Sequence, residues 1–294
     1  MRKLLIIAII MAFLLAGCSS VGKPEIKKIT YKWGNVNEST TEILVNVDVV
    51  NPNPFPIPLK DIVMNIYMNG IKMGEGHAIK AEIPANSEST LVIAILLDNN
   101  KIPEWWVSHI RNGEKTDMDI KGYLVFDLKV FDFKFPIEFS NPIKTDILSS
   151  VSLSKPETIS VDGLASIEIR SVKSHWGNVN NKWTEIITIA DIYNPNSFPI
   201  PVISFDYTIK MNGILVGDGS EDLNAVIPPK SDSKLTLITK IKNDKLKDWW
   251  VTHIKNGEKT TVEIDIMPKV KVAGKKISFT LTKQTFEIRT SFLG

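Results

Sequence analysis

Glu104 to Thr116 reads EWWVSHIRNGEKT, and Asp248 to Thr260 reads DWWVTHIKNGEKT. Of the ten positions after each tryptophan pair, eight are identical, and the other two are Ser/Thr and Arg/Lys exchanges. A self-match of this length makes the chain two copies of one domain. The neighbouring sequence keeps the same register. Trp33-Gly34-Asn35-Val36-Asn37 returns as Trp176–Asn180, and Asn51-Pro52-Asn53 returns as Asn194-Pro195-Asn196, both at an offset of 143. After one inserted residue the offset is 144, at Ile227-Pro228 and Trp249-Trp250. So small an indel implies loops of nearly equal length in the two copies.

Inside the repeated stretch the apolar period is helical. Ile102, Trp105, Trp106 and Ile110 share a face at spacings of three and four. Asp98 or Asn99 can cap the start, Pro103 suits an early helical position, and Asn112-Gly113 supplies a stop. The spacing predicts one helix of three turns late in each copy.

Everything before and after it alternates with the period of a strand. In Thr41–Val50, Ile43, Val45, Val47 and Val49 fall on one face, and Glu42, Asn46 and Asp48 fall on the other. Asn51 to Pro58 holds four prolines in eight residues, which suits only an extended crossover or an edge. Asn69-Gly70 signals a hairpin, and Gly74 and Gly76 mark a bulge or a close approach. About seven β-segments and one helix per copy favour a mainly β fold of two tandem β-sandwich domains. An up-and-down barrel, with Gly74 and Gly217 as its bends, is the runner-up.

The N-terminus is different in kind. Arg2 and Lys3 precede an unbroken apolar run of twelve residues, Leu4 to Leu15, followed by Ala16, Gly17 and Cys18. Twelve residues make a helix of about 18 Å, short of a hydrocarbon core of about 30 Å. That favours a cleaved export signal. Leu15-Ala16-Gly17-Cys18 looks like a lipobox, in which the cysteine sulfur takes a diacylglycerol and becomes the first mature residue. The expected organisation is a leader over 1–17, a tether over 18–24, a first domain over 25–142, a linker over 143–162 and a second domain over 163–292. Leu148, Val151, Leu153 and Ile159 would let the linker pack on a neighbour. The expected location is the extracytoplasmic side of the cell membrane, with membrane lipid as a partner through acylated Cys18.

Cys18 is the single cysteine, so no disulfide supports either copy. The net charge is +2 and falls to about zero without Arg2 and Lys3. Such a chain has no strong basic field to attract nucleic acid or anionic lipid.

Residues with chemical potential are few. Of His77, His109, His175 and His253, His109 and His253 occupy equivalent positions. No metal-ligand spacing accompanies them, so a structural role beside the tryptophans is expected, with no metal and no cofactor. There is no G-x-S-x-G elbow and no phosphate-binding glycine loop. Asp48 and Asp191 read as solvent-facing strand acids. The candidate binding surface consists of Asn51, Asn53, Asn194 and Asn196 with Trp105, Trp106, Trp249 and Trp250. The bland reading of the asparagines is that each bonds its own backbone two residues on and fixes a turn. The bland reading of the tryptophans is core packing, with one indole of each pair buried and the other partly exposed.

Two N-P-N-x-F-P-I-P segments, the Asn-Gly hairpins and the W-W-x-x-H-I-x-N-G-E-K-T helix exits resemble the type-2 late embryogenesis abundant proteins. These carry the WHy domain, named for water stress and hypersensitive response. The resemblance covers residues 25 to 290 as tandem copies. It implies fibronectin-type-III-like (immunoglobulin-like) β-sandwiches, each with one short helix. It also implies a non-enzymatic role in desiccation or osmotic stress protection or in envelope maintenance. The alternative is a membrane-tethered module that binds or scaffolds a protein partner.

Overall fold

The computed structural model describes residues 21–78, 82–151, 153 and 155–293. The leader, the lipobox and Cys18 lie outside the described residues. The first copy contains β1 (Glu25–Val36), β2 (Thr40–Asn51), β3 (Ile57–Met68), β4 (Ile71–Ala78), β5 (Glu82–Ile83) and β6 (Ser87–Asp98). It continues with helix α1 (Ile102–Arg111), β7 (Lys115–Asp127) and β8 (Asp132–Lys144). The second copy contains β9 (Glu157–Val161), β10 (Ala165–Val179), β11 (Trp183–Asn194), β12 (Ile200–Met211), β13 (Ile214–Ile227) and β14 (Ser231–Lys242). It ends with α2 (Leu246–Lys255), β15 (Lys259–Val272), β16 (Lys275–Ser278) and β17 (Thr282–Arg289).

Period-two alternation sets the core of each copy. Along β2 every second side chain is buried, and the buried set includes Ile43, Val45, Val47 and Val49. The helix lies where the apolar period changes. Asp98 accepts from the Asn100 amide and caps a 3₁₀ turn that leads into α1, and Asn112 ends the helix.

The two copies close differently. In the first, the strands run β1-β2-β6-β4-β3-β7-β8 in one continuous sheet, with β5 also on β3. The sheet curls until Tyr31 of β1 meets Phe139 of β8, ring centres 4.5 Å apart. In the second, β14-β11-β10-β9 and β13-β12-β15 form separate sheets, with β16 and β17 on β15. The expectation of two fibronectin-type-III-like sandwiches therefore needs correction. Both copies are mainly β with one short helix, but the first is a curled half-barrel, and its strand order, with β2 beside β6, is not that of an up-and-down barrel either.

One side chain accounts for the difference at this seam. β4 pairs with β6 from Gly74↔Leu97 to Ala78↔Ile93. A Cβ on Gly74 would lie 1.9 Å from the Leu96 carbonyl oxygen, so the pairing requires glycine. In the second copy Tyr207 stands where the first has Met64. Its hydroxyl accepts the Lys240 N–H of β14 at 3.3 Å. Its ring fills the space beside Gly219, where a Cβ would lie 2.7 Å away. The tyrosine wedges between β13 and β14 and takes a donor the ladder would have used. Gly74 and Gly217 both sit at this close approach, and the ladders beside them are bulged at Met73 and Val216.

The proline-rich segments join β2 to β3 and β11 to β12. Asn51 holds the first one. Its amide donates to the carbonyls of Phe55 (2.8 Å), Ile83 (3.3 Å) and Pro84 (3.0 Å), and its oxygen accepts the Asn53 N–H (2.9 Å). Asn53 in turn makes a reciprocal pair with the Gly22 backbone, both bonds 2.8 Å. Asn194 and Asn196 repeat this on Phe198, Ile227 and Ser166. Each first asparagine thus bonds its own backbone two residues on, in a loop without ladder partners. Asn51→Ala should cost about 2–4 kcal/mol, because it orphans carbonyls beside a buried site. Urea unfolding checks this, and a loss below about 1 kcal/mol would show that water replaces the amide.

Candidate functional site

The repeated stretch builds a junction between the copies. Trp106 Nε1–H donates to Thr184 Oγ1 of the second copy (3.1 Å), and Trp250 Nε1–H donates to Thr41 Oγ1 of the first (3.0 Å). Trp176 Nε1–H donates to Glu114 Oε1 (2.8 Å), and Trp33 Nε1–H donates to Glu258 Oε1 (2.9 Å). Each contact has its counterpart with the copies exchanged, so the junction is pseudo-two-fold and isologous. Six of the seven tryptophans meet there. Trp105 lies on Trp250 and Trp106 on Trp249, ring centres 5.5 Å apart and edge to face in both pairs. Such crossings are the favoured aromatic geometry.

All four helix tryptophans are at most 5% exposed. Adjacent helical positions point about 100° apart, and both copies contribute to the burial: Trp106 meets Thr184 and Trp249, and Trp250 meets Thr41 and Trp105, across the junction. The partly exposed indole of the candidate surface is therefore absent from the structure. The asparagines are likewise committed to their own loops, with Asn51, Asn53 and Asn194 buried and Asn196 half-buried.

A polar relay runs beneath the tryptophans. Trp105 Nε1–H donates to Thr116 Oγ1 (2.8 Å), which lies 2.8 Å from His109 Nδ1. His109 Nε2 lies 2.9 Å from Thr145 Oγ1, which donates to Glu114 Oε2 (2.8 Å). The directions follow from the ends. An indole only donates and a carboxylate only accepts. Neutral His109 therefore carries its proton on Nε2, and the Thr116 hydroxyl donates to Nδ1. Glu114 Oε2 also accepts the Ile147 N–H (2.7 Å). The second copy repeats the relay through Trp249, Thr260, His253, Thr290 and Glu258. Glu258 Oε2 also accepts the Phe292 N–H (2.6 Å).

This explains the residue types that recur. Gly113 and Gly257 have φ of +68° and +69°, and Glu114 and Glu258 follow at +60°. Two consecutive left-handed residues turn the chain back under the helix. Left-handed geometry at a glutamate is unfavourable by about 1–2 kcal/mol. The charge-assisted bonds to its carboxylate offset that, at about 1.5–3 kcal/mol each. Sequence reasoning passed over Glu114, Glu258, Thr116 and Thr260, although their identity in both copies was the available signal.

The arrangement is closed to chemistry. His109 and His253 are 2% and 1% exposed. The space left among Trp105, Trp106, His109, Trp249, His253 and Phe292 is about 20 Å3, room for little more than one water. Among the described residues no group of three or more His, Cys, Asp or Glu side chains could hold a metal ion. Asp48 and Asp191 bond Thr90 and Ser171 at the surface.

The late embryogenesis abundant protein family model matches residues 46–141 and 190–285, one match in each copy. An uncharacterized protein of Methanocaldococcus jannaschii is 26% identical over 167 residues, 54% of this chain and 95% of its own length. A crystal structure of an Archaeoglobus fulgidus protein is 36% identical, covers 42% of this chain and 98% of its own, and has a TM-score of 0.41. The solution structure of an Arabidopsis thaliana protein is 23% identical, covers 43% of this chain and 84% of its own, and has a TM-score of 0.31.

The junction also sets a pH dependence. Burial pushes His109 down to about 4 against the opposing pull of Glu114, and burial does the same to His253, also to about 4. The unfolded chain protonates these histidines near pH 6.5. Their neutral packing therefore stabilises fully above pH 6.5, and the benefit is lost as pH falls toward 4. At pH 5 the loss is about 2 kcal/mol for each histidine. Urea unfolding across this window should show the slope, and replacing both histidines with glutamine should flatten it.

Proposed function

We propose a function on one premise: the chain belongs to the late embryogenesis abundant protein family, with two copies of its domain in tandem. The protein is a non-enzymatic stress-protection or envelope-maintenance protein, tethered to the extracytoplasmic face of the cell membrane by lipid on Cys18. The observation that carries the non-enzymatic reading is where the duplicated polar residues go. Histidine, threonine, glutamate and tryptophan, the side chains able to do chemistry in both copies, are spent on holding the copies together. What remains for function is a folded body and its placement in the cell. The tether follows from the lipobox, which ends three residues before Val21, the first described residue.

A second reading is a membrane-tethered module that scaffolds a protein partner. It is favoured by β9, whose outer edge has no strand partner among the described residues. A groove of about 520 Å3 runs beside it, lined by Leu153, Ile159, Phe279 and Leu281 among others. An open edge of this kind accepts an added strand.

Two measurements test these readings. Cys18→Ser should move the protein from the membrane fraction or stop its processing; mature membrane-bound protein would sink the lipid tether. Cells lacking the gene should survive drying or osmotic shock less well than their parent. Unchanged survival together with a stoichiometric crosslinked partner would favour the scaffold.

A further inference from the structure

The two copies differ most where the chain enters them. In the second copy β9 covers the edge of β10 from Ala165 to Ile169. Beneath that cover Ile167, Ile169 and Val172 are buried, as are Phe279 and Leu281 across the seam. In the first copy no described strand covers the edge of β1, and none of its residues is buried. Ile26 and Ile29, which match Ile169 and Val172, are only half-buried. So are Tyr31 and, across the seam on β8, Phe133, Phe135 and Phe139. The residues that would supply a matching β9, at the same offset of 143, are Leu14 to Cys18 of the leader and lipobox.

The uncovered seam opens at a particular end. Thr41 lies at the junction and Asn51 at the far end of β2, ten residues or about 33 Å away. At that far end Gly22 enters the fold, held by Asn53. The β7–β8 hairpin turns at the same end, because Phe126 pairs with Leu59 just after the proline-rich segment. Its tip presents Val130, 77% exposed, and Phe131, 46% exposed. Lys129 lies over the Phe55 ring (4.6 Å) and Lys23 over the Phe133 ring (5.8 Å). Lysine ammonium groups held over aromatic rings at this end place positive charge beside an apolar surface, a pairing that suits a layer of phosphate headgroups above acyl chains.

We propose that this end of the first copy, comprising the Val130–Phe131 tip and the open β1–β8 seam, docks onto the bilayer that holds the tether. The occupant is fixed by where the chain outside the described residues begins. The apolar leader and Cys18 join the fold here and not at the far end of the second copy. There the equivalent hairpin turns through Ala273-Gly274, between Lys271 and Lys275, and its one larger apolar side chain, Val272, is buried. A diacylglycerol on Cys18 would hold the chain at the bilayer, and this face would then meet the surface as a second, weaker contact.

The proposal rests on the membrane placement put forward above, yet its test does not use Cys18. The chain beginning at Ser19 retains every described residue. It should float with phosphatidylcholine vesicles containing about one third phosphatidylglycerol. The doubly substituted chain, Val130→Ser with Phe131→Ser, should lose partitioning by roughly tenfold. These side chains are exposed, so its thermal unfolding should match the parent. Phe198→Ser with Val226→Ser, at the other far end, should leave partitioning unchanged. Absence of parental binding, or equal loss in both variants, overturns the docking. So does self-association that the Val130/Phe131 variant abolishes without any vesicle binding, which would assign the face to a second copy of the chain. Failure of Cys18→Ser to release the protein from cells would remove the lipid tether alone.

Discussion

The structure depends on a carboxylate placed under a helix exit. Glu114 of one copy and Glu258 of the other each accept an indole N–H from the opposite copy. Each also accepts a threonine hydroxyl and a backbone amide from its own copy. A buried carboxylate is costly unless such donors surround it. In each set two donors are local and one is foreign. The charge is therefore fully satisfied only when both domains are in place. Aromatic packing supplies contact area at this junction, and the carboxylates supply its register.

The same economy decides what the molecule can do. A histidine between two threonines and beside a carboxylate has the parts of a proton relay. Burial holds it neutral, and the indoles close every approach. The difference between a catalytic relay and a structural one is access to substrate, and here the second domain removes it. That is why the repeated tryptophan stretch carries architecture.

Much of this was legible in the sequence. The alternation in Thr41–Val50 gave the buried face of β2, and Asn112-Gly113 gave the helix end. Both are local signals that the fold does not override. The asparagine turns were legible for the same reason, since Asn51 and Asn194 act on backbone two residues away. What escaped was non-local. The burial of both indoles depends on a second copy about 144 residues distant in sequence. The open seam of the second copy depends on one substitution, tyrosine for methionine, at a position that reads as core in either case. Glu114 drew no reading, because a charged residue after Asn-Gly is ordinary in a loop. β9 formed within the stretch expected to be a linker, from residues whose polar composition hid a short strand.

The isologous junction has a consequence for how such a chain arises. The four indole bonds across the junction pair off with the copies exchanged, so a single ancestral domain would carry both halves of this lock and be complementary to itself. Such a domain closes into a symmetric pair only at sufficient concentration. Joining two in one chain makes the encounter intramolecular, with an effective concentration in the millimolar range for a short connection. Pairing then no longer depends on abundance, and the two halves are free to diverge. The tyrosine wedge, the β1 edge that no described strand covers and the Val130–Phe131 tip are the marks of that freedom: each breaks the symmetry at a place the lock does not touch.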